Sequence, residues 1–224
     1  MKPLLFAPVF FALASARADY TTHFHSPPYV LDQTVLDTDG WNDRVLTAKG
    51  DPDSVRVVAV RWNGYKQALM MKGANLKHPF EPTWGDKVKI VFDLAFTFPD
   101  KGLLKPFRIG FIGAPCGEFF MDAGPDGGLG VQADGSGRGG VVALKKSELR
   151  TNAFYTFVVA VDYAKLTYDL NITGKKKDGS PFQHKADGVP FESKAKSVSS
   201  LYIIADKAVT AYLGSLQVLS EPPL

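Results

Sequence analysis

The sequence is poor in the features that most directly announce a function. Its 224 residues include one cysteine, Cys116, which has no internal partner for a disulfide. The fold must therefore rest on its apolar core, and a chain of this length can bury enough area to do so. Cys116 reads as a small buried hydrophobe rather than a catalytic thiol. No apolar run approaches the ~20 residues needed to span a bilayer. Charge of one sign is not in excess: 26 Lys and Arg face 23 Asp and Glu. That balance argues against a nucleic-acid partner, whose phosphates demand a basic surplus. The four histidines, His23, His25, His78 and His184, do not fall at zinc-ligand spacing. His23 and His25 fall on one face of an extended segment and read as a surface pair. No segment combines a helix cap with an apolar stripe.

What is present begins with the N-terminus, MKPLLFAPVFFALASARADY. Lys2 supplies a positive start, Leu4–Leu13 an apolar core, and Ala16-Arg17-Ala18 the small residues before a cleavage site. The expectation is a secretory signal peptide over residues 1–18, cut after Ala18. No cysteine follows that site, so a lipid-anchored product is not indicated. The remaining residues, 19–224, suit a single domain. Losing Lys2 and Arg17 brings the mature chain to 24 basic against 23 acidic residues. The chain is expected outside the cytoplasm: secreted, periplasmic or in the cell envelope, without membrane insertion.

Period-two patterning dominates the rest. Val88, Ile90, Phe92, Leu94, Phe96 and Phe98 occupy alternate positions of VKIVFDLAFTF, and Lys89, Asp93 and Thr97 share the other face with Val91 and Ala95. No helical template fits that pattern. In YTFVVAVDYAKLTYDLNITG (155–174), Leu166, Tyr168, Leu170 and Ile172 alternate with Thr167, Asp169, Asn171 and Thr173. The run from Phe154 to Val161 is nearly all apolar, as in a strand covered on both faces, so the stretch reads as a hairpin turning at Asp162–Lys165. Further strands are expected at Val55–Trp62, Tyr65–Met71, Phe107–Phe111, Glu118–Met121, Leu129–Ala133, Gly140–Leu144, Leu201–Ala205 and Ala211–Leu219. Short strands separated by Gly, Pro, Asp and Asn indicate an all-β sandwich or barrel.

One hairpin is sharply marked. Asn63-Gly64 joins VRVVAVRW to YKQALMM and is the preferred pair for a two-residue type I′ turn. That register sets Trp62 against Tyr65 and Arg61 against Lys66. Two cations opposed on one face destabilise a strand pair. They either splay into solvent or hold an acidic group beside the aromatic pair. The glycine-dense segment 122–140, DAGPDGGLGVQADGSGRGG, reads as wide loops; no strand–helix context supports a phosphate loop there. It nearly matches a calcium β-roll repeat, with Gln132 where that repeat needs Asp. Asp122, Asp126 and Asp134 are candidate oxygen ligands for one structural calcium; no other cofactor is indicated.

Phe24, Pro27-Pro28-Tyr29 and Asp39-Gly40-Trp41, followed by strand Val88–Phe98, the YTFVVAVD…LTYDLNITG hairpin and the closing AYLGSLQV strand, resemble the exported bacterial concanavalin A-like, laminin-G-like jelly-roll proteins over nearly the whole mature chain. The resemblance implies two antiparallel sheets packed face to face, an all-β jelly-roll sandwich, with loops or a concave face that bind glycans in many members. Two departures stand out. Asp37 replaces the first glycine of the family's Gly-x-x-Gly-Trp stretch. Leu213 and Gly214 follow Tyr212 where the family often places a calcium-binding Asp.

Some proteins of this fold cleave polysaccharides. The Glu-Asp-Glu strand of laminarinase-like glycosidases is missing. Glu118 and Asp122 would stand roughly 13 Å apart along a strand, too far for a glycosidase pair. Lys146-Ser147-Glu148-Leu149-Arg150 resembles the Arg-Ser-Glu-Leu-Arg strand of alginate lyases, without their Gln-Ile-His and Tyr-x-Lys-Ala-Gly partners. The reading is therefore a binding module for a polysaccharide or cell-surface glycan. Trp62, Tyr65 and Trp84 are its candidate stacking rings, and Arg61 and Lys66 its candidates for an acidic group; Trp41 is expected in the core. A polysaccharide-active lyase or glycosidase on the same fold and an envelope protein that adheres to another protein are the alternatives.

Overall fold

The computed structural model describes residues 17–43, 52–97, 107–113, 118–122, 128–132, 141–190, 196–207 and 209–221. The chain order opens with β1 (Arg17–His23), β2 (Asn42–Asp43), β3 (Val55–Trp62), β4 (Tyr65–Lys72) and β5 (Asn75–Pro79). It continues through β6 (Lys87–Thr97), β7 (Phe107–Ile112), β8 (Glu118–Asp122), β9 (Gly128–Gln132) and β10 (Val141–Lys145). It ends with β11 (Tyr155–Asp162), β12 (Thr167–Lys175), β13 (Pro181–Pro190), β14 (Ser200–Ala205) and β15 (Thr210–Ser220). The only helical element among the described residues is a single 3₁₀ turn at Pro52–Ser54, and no helix is long and apolar enough to cross a membrane.

The strands form two antiparallel sheets. One runs β13-β12-β11-β6-β15-β4-β3, with β1 also paired to β15; the other runs β10-β9-β8-β7-β14-β5-β2. Strand β6 explains the sandwich. Its Val88, Ile90, Phe92, Leu94 and Phe96 are buried, as the alternation requires. Phe92 lies parallel to Phe157 of the neighbouring strand at 4.8 Å and meets Phe111 of the opposite sheet at 5.6 Å. Phe96 meets Phe107 edge-on at 5.2 Å. Apolar rings from both sheets thus close on one another between the layers. The fold is the concanavalin A-like jelly-roll sandwich. Phe98 lies outside the described residues, as do Asp126, Asp134 and Cys116.

The Asn63-Gly64 turn forms as expected, with both residues at positive φ, 50° and 84°. Three sequence expectations change. Leu166 is not a strand residue: it sits in the turn at φ 54°, 45 % exposed, and β12 begins at Thr167. Strand β11 is not covered on both faces. Tyr155, Phe157, Val159 and Val161 are buried, whereas Val158 is half-buried and Ala160 exposed, because the outer face of this sheet has no layer above them. Strands β1, β2, β5 and β13 were not anticipated. β13 is an edge strand with one buried residue, Phe182, and proline at both ends, so it lacks the apolar alternation that marks the others.

The segment from Phe24 to Trp41 is structural. Trp41 is fully buried, and its Nε1–H donates to the Tyr29 hydroxyl at 3.1 Å. Tyr29 in turn donates to the Asp39 carboxylate at 2.7 Å and accepts from Thr22 at 3.0 Å. Asp37, the residue in place of the family's glycine, adopts φ 65°. The left-handed backbone is thus kept, since Asp tolerates that region better than most side chains. The first two residues of β1 precede the expected cleavage point at Ala18; the pairing of Tyr20–His23 with Ser215–Val218 lies beyond it.

Candidate functional site

The sheet containing β6 has one face in the core and one open face. At the end of the open face nearest the Asn63-Gly64 turn, a second apolar cluster forms apart from the main core. Val60, Ala68, Ala95 and Phe154 are buried in it, with Val58, Trp62, Tyr65 and Tyr212 partly covered. Trp62 stands edge-on to Tyr212, ring centres 4.8 Å apart, and 6.0 Å from Phe154. Tyr65 tilts against Phe154 at 4.5 Å. Gly214 makes this possible, because a Cβ there would lie 2.9 Å from the Tyr65 ring and 3.0 Å from Phe154. Gly214 is also the extra residue of a bulge between Leu213 and Ser215. The bulge shifts the alternation by one, so Tyr212 and Ser215 reach the same face although they are three apart.

Next to the rings lies a polar network centred on Asp93. The register aligns Thr156, Asp93 and Ser215 across β11, β6 and β15. Thr156 donates to Asp93 Oδ1 at 2.5 Å and Ser215 to Oδ2 at 2.7 Å. The Tyr65 phenol donates to the same Oδ2, and its oxygen lies 3.0 Å from Ser215 Oγ. One carboxylate in the middle of the sheet thus accepts three hydroxyls and holds the Tyr65 ring flat over β15. An open hollow of about 680 Å³ adjoins it, lined by His25, Asn63, Gly64, Tyr65, Lys66 and Gln67.

Burial, and then the hydrogen bond to Asp93, push the Tyr65 phenol up to about 12. The residue is therefore a neutral hydroxyl at ordinary pH, suited to positioning and hydrogen bonding rather than to taking a proton. A raised folded-state value stabilises the fold fully below the unfolded value near 10 and ceases to do so as pH rises through about 12. The expected result is that Tyr65→Phe loses less thermal stability than the parent chain between pH 10 and 12. Melting curves across that range measure it. The other buried tyrosines contribute equally in both chains, so the difference isolates Tyr65. Parallel curves would show that Tyr65 ionises as freely when folded as when unfolded.

Of the residues anticipated from sequence, Trp62 and Tyr65 pair directly across the hairpin and share the aromatic cluster. The opposition of Arg61 to Lys66 is modified. The register slips by one between Ala59 and Trp62, so Val60 and Arg61 together stand opposite Lys66. Val60 is buried while Arg61 and Lys66 are exposed, which relieves the like-charge contact. Trp84 is 37 % exposed, but its backbone N–H bonds Ser220 at the far end of β15. From Tyr212 to Ser220 the strand runs roughly 25 Å at ~3.3 Å per residue, so the structure separates Trp84 from Trp62. Asp122 ends β8, and no group of three or more His, Cys, Asp or Glu that could hold a metal occurs among the described residues. The Lys146–Arg150 segment does not form the strand that the lyase likeness requires. It is the turn after β10, and Glu148 is paired with Lys176 at 2.7 Å. Asn171 of the Asn-Ile-Thr triplet lies mid-strand and accepts from Gln183 at 3.0 Å.

Asp93, Thr156, Ser215, Tyr212, Phe154 and His25 were not among the anticipated site residues. Asp93 is the one carboxylate of β6 and shares its face with Lys89, Val91, Ala95 and Thr97.

No protein-family model and no curated protein sequence matches this chain. Solved structures resemble it in fold. Peanut lectin in complex with a nine-residue peptide aligns with a TM-score of 0.53 at 10 % identity, covering 92 % of this chain and 97 % of the lectin chain. The carbohydrate esterase vb_24B_21 from the Shiga toxin-encoding bacteriophage phi24B aligns at 0.52 and 10 % identity, covering 93 % and 100 %. The PL-14 alginate lyase from Aplysia kurodai aligns at 0.46 and 14 % identity over 75 % of this chain and 88 % of that one, too distant to bear on chemistry. The likenesses to the lectin and the esterase establish a shared jelly roll.

Proposed function

We propose that the exported chain, processed after Ala18, is a carbohydrate-binding module whose site is the open face around Trp62, Tyr65 and Tyr212. The observation that carries this reading is the group of partly covered aromatic rings clustered beside a fixed polar network on an open sheet face. Sugar rings present apolar C–H faces and a rim of hydroxyls; an aromatic surface takes the first and fixed donors and acceptors take the second. Tyr65 and Asp93 are held in place by hydrogen bonds before any ligand arrives, which lowers the entropy lost on binding. Two structures that share the fold, a lectin and a carbohydrate esterase, are carbohydrate proteins by name; they add an analogy of fold. Binding without cleavage is favoured over lyase chemistry because Glu148 lies in a turn, paired with Lys176.

The test is a glycan microarray probed with chain recovered from an exporting host and beginning at Asp19. Retention of one or a few related glycans is expected. A blank array, with capture of an envelope protein instead, would transfer the site to the adhesive reading.

A further inference from the structure

Two loops far apart in sequence meet at the same end of the open-faced sheet. The turn after β10 carries Lys145, Lys146 and Arg150, and the turn after β12 carries Lys175, Lys176 and Lys177. Against these six cations stand two carboxylates, Glu148 and Asp178. The formal surplus of four exceeds the surplus of three for the entire chain, so everything outside these ten residues, 145–150 and 175–178, sums to minus one. The positive charge of this protein is concentrated here.

The two loops are locked together. Tyr155, fully buried, accepts the Arg150 backbone N–H at 2.9 Å and donates to the Lys175 carbonyl at 3.0 Å. Its ring packs against Gly174, where a Cβ would lie 2.5 Å away. The Lys177 N–H donates to the Glu148 carbonyl at 2.8 Å, and Lys176 bridges to the Glu148 carboxylate at 2.7 Å. Lys176 holds that carboxyl below its ordinary range. Lys145, Arg150, Lys175 and Lys177 are exposed, and a hollow of about 290 Å³ between the loops is lined by Ser147, Glu148, Lys176, Lys177 and Asp178. Cations crowded on a pre-formed edge repel one another, and a multivalent anion relieves that repulsion without reordering the loops.

The patch adjoins the aromatic cluster. Tyr155, which ties the loops, follows Phe154, which packs on Tyr65. Asn152, between Arg150 and Phe154, donates its backbone N–H to the Phe96 carbonyl. Arg150 and Phe154 lie four residues apart, no more than about 15 Å, a distance that a few sugar units cover.

We propose that the ligand is an acidic polysaccharide, a chain bearing carboxylate or sulfate groups, whose one segment stacks on Trp62 and Tyr65 while its next units lay their anions on the basic loop pair. This rests on the carbohydrate reading above and adds the charge of the ligand and the direction in which it runs. A polymer of repeated anions suits four exposed cations, Lys145, Arg150, Lys175 and Lys177, spread over two loops. An anionic membrane suits them less, because the exposed large apolar residues among those described, Val30, Leu31, Trp84 and Leu166, belong to neither loop.

The experiment measures binding of the full chain and of a Lys175→Gln/Lys177→Gln variant to polygalacturonate and dextran sulfate, with methyl-esterified polygalacturonate and plain dextran as uncharged counterparts. Both substituted side chains are exposed, so the melting temperature should hold and verifies folding. The acidic member of at least one pair should bind at least tenfold more tightly than its neutral counterpart. The variant should lose about tenfold, and its slope of log affinity against log salt should be shallower by ~1.4, at ~0.7 per lost contact on a flexible polyanion. If acidic and neutral polymers bind alike and the variant binds as the parent does, the acidic assignment is overturned while the carbohydrate reading stands. If no polymer binds and the array is blank, both fall. Binding to phosphatidylglycerol vesicles that the variant loses, with no acidic polymer bound, overturns the proposal in favour of a membrane surface.

Discussion

Replacing Phe92 with alanine is expected to destabilise the fold by about 3–5 kcal/mol, the range for deleting a large buried aromatic. For a domain of this size that lowers the melting temperature by roughly 10 °C or more. Three features place Phe92 at the high end of core substitutions. It is fully buried at the middle of the central strand of the larger sheet. It stacks within 8° of parallel on Phe157. It also crosses the interlayer space to Phe111. The cavity therefore opens at the junction of both sheets, with neighbours on either side fixed in their own ladders and slow to collapse into it. Thermal unfolding of the variant followed by circular dichroism gives the number. A loss below about 1 kcal/mol would mean that the two layers do not meet at Phe92.

The second large effect is on binding. Trp62→Ala should weaken the affinity for a retained glycan by about thirtyfold, corresponding to the ~2 kcal/mol that marks an interface hot spot. Trp62 is half-buried, packed edge-on against Tyr212 and near Phe154, so its removal takes away the stacking surface and loosens its neighbours. The variant should melt only a few degrees lower, because the cluster lies outside the main core. Trp84→Ala is the matched comparison. That side chain is more exposed yet stands at the other end of β15, and its loss should change affinity less than twofold. Equal losses for both variants would contradict a site confined to the hairpin end of the sheet.

These two positions were legible in the sequence to different degrees. Phe92 belongs to six alternating apolar residues, and a strand's two-residue period puts them on one face without further information. The Asn63-Gly64 turn likewise set Trp62 against Tyr65, since local geometry alone fixes a two-residue hairpin. Asp93 could be placed on the outer face of its strand with Lys89 and Thr97, but its partners could not be read. Tyr65, Thr156 and Ser215 lie 28 to 122 residues away from it, and only the strand order brings them together. Two bulges hid more. One at Gly214 reverses which residues of β15 face outward, and one before Trp62 sets Val60 as well as Arg61 opposite Lys66. Neither leaves a period that alternation can reveal. Strand β13 escaped notice for the opposite reason: as an edge strand it buries almost nothing and can carry proline. The basic loop pair is visible as two separate lysine runs, and only the contacts of Tyr155 and Glu148 show that they form one surface.

The most direct measurement replaces the three tryptophans with 5-fluorotryptophan and follows the fluorine resonances while a retained glycan is added. Trp41 is sealed in the core, Trp84 sits at the far end of β15, and Trp62 lies on the open face, so the three report from well-separated places. The account predicts a saturable shift of the Trp62 resonance with Trp41 and Trp84 unmoved. A saturating ligand that shifts Trp84 alone, or none of the three, would contradict it.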